Sequence, residues 1–224
     1  MFTRYAVFYT CDPASDLGAF GAAWLGWDSA TGTQVPRPVV QGVDVGSVTK
    51  APHKYGFHGT IKAPFRLGPD TSEAALEAAF VKTCARLDAC PLQGLHLAQL
   101  GRFWALVPDG DNAALQGFSG HVVETLDGYR APLTAQEIAK RNPERLTDRQ
   151  RAHLEQWGYP FVKQDFRFHM TLTDRLPKDQ SPPVQNALQQ LLAHTAMPSH
   201  IEALTLMGEG AEGRFHQIKR CALG

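Results

Sequence analysis

Net charge is the first thing missing from this chain: 22 Lys and Arg face 22 Asp and Glu across 224 residues. That balance argues against a long nucleic-acid track, where many phosphates must be neutralised, whereas a small anion needs only a local cluster of cations. Long hydrophobic runs are missing too. No stretch approaches the roughly 20 apolar residues that span a bilayer, and Met1-Phe2-Thr3-Arg4-Tyr5 runs directly into a strand rather than a signal peptide. A protein with no membrane partner is expected. Cysteine is scarce, and Cys11, Cys84, Cys90 and Cys221 show no C-x-x-C spacing. Reduced thiols in a cytoplasmic protein follow, rather than a disulfide framework.

Several catalytic signatures are also lacking. There is no G-x-S-x-G nucleophile turn, no Walker A string, no G-x-G-x-x-G after a strand and no H-E-x-x-H. Gly208 to Gly213 reads as a hairpin loop between two strands. His53 and His58 would face opposite sides of one strand, and His96, His121, His153, His194, His200 and His216 are scattered without ligand spacing. Neither a metal site nor a cofactor is expected. The remaining composition, 43% hydrophobic and 20% charged, is ordinary for a globular chain able to bury a good core.

What is present is the tripeptide His-x-Thr, twice, as His58-Gly59-Thr60 and His169-Met170-Thr171, roughly half the chain apart. Around the first, strand alternation puts Tyr55, Phe57 and Ile61 on one face and Lys54, His58, Thr60 and Lys62 on the other. Around the second, Phe166, Phe168, Met170 and Leu172 alternate with Arg167, His169, Thr171 and Thr173. Each strand thus offers one imidazole, one hydroxyl and at least one cation on its polar face.

The flanks repeat as well. After Thr60 come a helix-like run from about 72 to 87 and strands near 95–100 and 103–107. After Thr171 come a helix opened by Pro182-Pro183 and strands near 201–206 and 215–218. The order strand, helix, strand, strand occurs twice, which predicts two related lobes in one domain, about 1–110 and about 111–224. Before the first motif stand a strand from Arg4 to Thr10, a cap near Ser15, a helix from Leu17 to Trp27, and a long irregular segment from Asp28 to Pro52 of the kind that often binds ligands. Between about 129 and 160 lies an insertion of two short helices, the second opened by a capping box at Thr147 to Gln150. It is rich in arginine. Arg141 and Arg145, four apart, are candidate anion grips, although Pro143 between them limits the helix.

Two histidines and two threonines suit attack on a phosphodiester. One imidazole takes a proton from the attacking water or hydroxyl while the other gives one to the departing alkoxide. Thr60 and Thr171 would donate to the non-bridging oxygens, with Lys62 or Arg167 offsetting charge. Among aromatics that could stack on a ligand, Tyr5, Tyr55, Trp24 and Trp157 are expected in packing roles. Tyr9 is the candidate cleft residue, on a strand expected beside the motif strands.

The paired His-x-Thr strands in a duplicated lobe resemble the 2H phosphoesterase superfamily. Residues 55–62, 141–147 and 166–173 are similar to a branch of that superfamily associated with phosphonate-utilisation operons. The resemblance, which covers essentially the whole chain, implies a bilobal α+β fold of pseudo-two-fold symmetry, with two antiparallel sheets flanked by helices around a central cleft. It also implies metal-independent opening of a cyclic phosphodiester, with His58 and Thr60 facing His169 and Thr171. A small ribose-derived cyclic phosphate is the expected substrate, of the phosphoribosyl type with a second phosphate that Arg141, Arg145 or Lys62 could hold. The alternatives are an RNA end bearing a 2′,3′-cyclic phosphate, and a non-catalytic sensor of a phosphorylated metabolite. A monomer is expected from the internal duplication.

Overall fold

A computed structural model describes residues 2–224. The chain begins with β1 (Arg4–Tyr9) and α1 (Asp16–Leu25), followed by a small hairpin of β2 (Trp27–Asp28) and β3 (Thr33–Gln34) and a single turn, α2 (Val45–Val48). The first motif strand is β4 (Gly59–Phe65). After it come α3 (Glu73–Cys84), β5 (Cys90–Pro91), β6 (Leu95–Leu100), β7 (Phe103–Pro108) and α4 (Ala113–Thr125). The insertion forms α5 (Ala135–Ala139) and α6 (Asp148–Trp157). The second motif strand is β8 (Met170–Thr171), followed by α7 (Ser181–Leu192), β9 (His200–Ile201), β10 (Ala203–Glu209) and β11 (Phe215–Ala222).

Helix starts follow the local chemistry read from the sequence. The Ser15 and Ser72 hydroxyls accept from Gly18 N and Ala75 N, and the Thr147–Gln150 capping box opens α6. In α7, Val184, Ala187, Leu188 and Leu192 form one buried stripe at helical spacing.

The architecture is α+β. Seven strands form one antiparallel sheet in the order β11-β10-β1-β4-β8-β7-β6, and two two-stranded ladders stand apart, β2 with β3 and β5 with β9. The two expected sheets therefore exist as leaves of one sheet. They join only where Gly59 pairs with Met170. Tyr5, Val7 and Tyr9 of β1 face a core filled by Leu17 and Trp24 of α1, Leu76 and Phe80 of α3, Leu115 and Val122 of α4, and Leu188 of α7. The opposite face carries a small cluster of Ala6, Phe8, Met207 and Phe215, with Tyr55 packed on it, and beside it opens a cleft.

The two motif strands pair with each other, β5 pairs with β9, and β10 lies beside β1 as β6 lies beside β7. No helix of the described residues is long and apolar enough to cross a membrane.

Candidate active site

The middle residue of each His-x-Thr tripeptide makes the joint between the leaves. A Cβ on Gly59 would sit 2.5 Å from the Phe168 ring, so only glycine lets β4 come this close, while Met170 is fully buried. In the antiparallel register fixed by Gly59 and Met170, His58 stands opposite Thr171 and Thr60 opposite His169. All four side chains fall on the face away from the core. The two histidines occupy a cross-strand diagonal, whose backbone positions stand roughly 7–8 Å apart, so both imidazoles can reach one phosphorus centre. They line one cleft of about 740 Å³ together with both threonines.

The histidines are held alike. His58 Nδ1 lies 3.0 Å from Gly56 O, and His169 Nδ1 lies 2.8 Å from Arg167 O, in each case the carbonyl two residues earlier. A carbonyl oxygen only accepts, so the proton sits on Nδ1 and leaves Nε2 for chemistry. His58 Nε2 is 3.2 Å from Thr60 Oγ1. The surroundings differ. His58 stacks on Phe8 at 3.9 Å between ring centroids, with Tyr55 at 5.6 Å, whereas His169 meets Phe103 at 5.9 Å. Burial in that aromatic box pushes the His58 pKa down to about 4, the Gly56 carbonyl opposes the shift, and repulsion from His169 adds to it.

Of the other residues singled out in the sequence, Arg141 lines the cleft, half-buried with its guanidinium 4.9 Å over the Tyr159 ring. Four do not. Lys62 is 3% exposed and donates to Asp127 Oδ1 at 3.0 Å and to Val123 O at 3.2 Å, on the core side. The strand alternation that placed it beside Thr60 is broken by a bulge: Phe8 pairs with Thr60, but Val7 pairs with Lys62. Arg145 and Arg167 are exposed outside the cleft, and Arg167 contributes only its carbonyl. Tyr9 is 4% exposed and packs on Phe168 at 5.9 Å. Alternation with Phe8 is itself the reason, because neighbours on a strand point to opposite faces.

The cleft also holds Lys54, which strand alternation placed on the face of His58, and Arg4, Tyr55, Phe103, Tyr159 and Arg175, which were not expected there. Strand parity was the available signal for Arg4, which shares a face with Ala6 and Phe8. Tyr55 was expected on the core face of a continuous strand. The strand is interrupted: Pro52–Tyr55 is a 3₁₀ turn, and Gly56 follows at φ 72°, ψ 177°, a conformation only glycine adopts readily. That turn brings Tyr55 to the cleft side. Among the described residues no group of three His, Cys, Asp or Glu is gathered as a metal site would require.

Comparison with known proteins adds the following. A family model described as "Protein of unknown function (DUF1045)" matches residues 60–216. Two curated relatives are each named "Ribose 1,5-bisphosphate phosphokinase PhnN". The one from Janthinobacterium sp. (strain Marseille) is 36% identical over 94% of this chain and 48% of its own length. The one from Laribacter hongkongensis (strain HLHK9) is 31% identical over 97% of this chain and 51% of its own length. The chain thus spans about half the length of these relatives. A solved structure described as a crystal structure of a phosphoesterase aligns with 100% of the chain and 99% of its own at 15% identity, with a TM-score of 0.44, a likeness too distant to build on.

Proposed function

We propose, for a chain that belongs to the DUF1045 family of proteins of unknown function, that it is a phosphodiesterase opening a small ribose-derived cyclic phosphate by paired-histidine catalysis. One observation carries the reading: the Gly59–Met170 pair aligns two Nδ1-protonated histidines and two threonines on one face of a cleft. His58, kept neutral by its aromatic box, takes the proton from water through Nε2. His169 gives one to the departing ribose oxygen. Thr60 and Thr171 donate to the non-bridging oxygens, where charge accumulates in the transition state. Water oxygen bonds to phosphorus, one P–O ester bond breaks, and the released hydroxyl carries the proton from His169. No metal enters these steps.

The relatives' name supports a ribose phosphate, and the resemblance of residues 55–62, 141–147 and 166–173 to the phosphonate-operon branch supports a place in phosphonate metabolism. Opening a 5-phosphoribosyl 1,2-cyclic phosphate at its O2 bond leaves the phosphate on O1. The product is ribose 1,5-bisphosphate, the compound in those relatives' name. The decisive experiment is phosphorus NMR in excess EDTA on a panel containing phosphoribosyl 1,2-cyclic phosphate and nucleoside 2′,3′-cyclic phosphates. Conversion of the first to the 1,5-bisphosphate is expected. Preference for the nucleoside compounds would move the assignment to RNA ends. Binding without turnover of any compound by the folded protein would make it a sensor.

A further inference from the structure

The cleft is much larger than one phosphodiester needs, and its polar lining is uneven. On the side of His58 that Tyr55 packs against, Arg4, Lys54 and Arg141 line the cleft with two phenols, Tyr55 and Tyr159. Arg4 donates to Glu209 from Nε at 2.5 Å and from a terminal nitrogen at 2.7 Å, which fixes its fork, and the Tyr55 hydroxyl lies beside it. Lys54 Nζ lies 4.8 Å over the Tyr55 ring, and against the cost of burial the Arg4 fork, with a smaller contribution from Lys54, holds the Glu209 carboxyl below its usual range. Tyr159, in the same lining, carries the Arg141 guanidinium on its ring. Three cations meet one carboxylate. The Arg141 guanidinium has neither a carboxylate nor a hydrogen-bond acceptor among the described residues, although the residue is half-buried and held in place by stacking.

A local excess of two positive charges beside two phenol donors is a poor arrangement without an occupant, because like charges repel and each guanidinium leaves donors unmet. A phosphate monoester supplies the missing half: close to two negative charges at neutral pH and three acceptor oxygens in reach of forked and single donors. We propose that Arg4, Lys54, Tyr55, Arg141 and Tyr159 form a second anion subsite that takes a phosphate monoester on the substrate while the paired histidines act on its cyclic diester. The proposal rests on reading the paired histidines as a phosphodiester centre. It makes the preferred substrate a sugar with two phosphorylated positions.

Binding alone tests it. The probes are ribose 5-phosphate and ribose, titrated calorimetrically at low ionic strength into the wild type and into Arg141→Ala, Lys54→Ala, His169→Ala and, as a control outside the cleft, Arg145→Ala. Ribose 5-phosphate should bind and ribose should not. Affinity for the phosphate should fall roughly ten- to a hundredfold in Arg141→Ala and Lys54→Ala, as expected for a lost charge-assisted hydrogen bond, and persist in His169→Ala and Arg145→Ala. Loss in His169→Ala with Arg141→Ala unaffected would put the monoester between the histidines and overturn the subsite. So would failure of the wild type to bind the probe. Neither result depends on turnover, so a failed ring-opening assay and a failed subsite are told apart.

Discussion

Replacing His58 with Gln removes a titrating group whose folded and unfolded affinities for a proton differ widely. The unfolded imidazole titrates near 6.5, and burial against Phe8 holds the folded one at about 4. Above pH 6.5 both states are neutral, and the contribution to stability is fully present. As the pH falls from there towards 4, the unfolded chain takes up a proton that the folded protein refuses, and stability is lost. Below about 4 the loss is complete. The full difference corresponds to about 3 kcal/mol, and the partial exposure of the ring reduces it to about 2 kcal/mol. Urea unfolding of wild type and His58→Gln at pH 7.5, 5.5 and 4.5 isolates this term, since every other titrating group is common to both. With a denaturant slope of roughly 2–3 kcal/mol per molar for a chain of this size, the gap between the two midpoints should change by about 1 M across the range. Proton NMR of the imidazole provides the direct reading. A midpoint gap independent of pH, or a His58 resonance titrating at or above 6.5, would refute the claim that the aromatic box keeps this imidazole neutral, and with it the role of base.

The catalytic pairing predicts that His58→Ala and His169→Ala each lower turnover of the preferred cyclic phosphate by roughly 10²- to 10⁴-fold with unchanged far-UV circular dichroism; near wild-type turnover in either would end the two-histidine mechanism. Gly59→Ala drives a methyl into the Phe168 ring and should cost about 1–3 kcal/mol, read as a lowered melting temperature, with partial recovery when Phe168→Leu is added. Lys62→Met should lower stability by about 1–3 kcal/mol and leave KM untouched, because its ammonium serves Asp127 rather than the cleft. A KM rise with stability unchanged would return Lys62 to the substrate.

The site's skeleton was legible in the sequence because a strand writes its facing in a two-residue period. Phe166, Phe168, Met170 and Leu172 are all buried, and His169 and Thr171 look the other way. The period misled where the backbone departs from a plain strand. Gly56 ends it before Tyr55, and the β4 bulge reverses it at Lys62. Helix α4 had no reading at all. Gly117, Ser119 and Gly120 dilute its helical signal, and its hold comes from Leu115, Phe118 and Val122 in the core and from Ser119 donating to Ile61 O. Of the cluster around Tyr159, Arg141 was legible as an anion grip and Lys54 as a neighbour of His58, but their meeting with Arg4 was not, since the three are far apart in sequence and meet only through the fold.

The partnership of β1 with β10 decides when the sheet behind His58 can close. β1 has β10 as its neighbour on one side, some two hundred residues later in the chain, so as the polypeptide leaves the ribosome β1 must wait, unpaired on that edge, until β10 has emerged. Pairings of such long range form slowly. A chain released short of β10 would have both histidines and no rigid wall behind Phe8 to keep His58 dry. Such a fragment would fail without having lost a single residue of its paired motifs, and an exposed β1 edge would make it a candidate for aggregation rather than a weak enzyme.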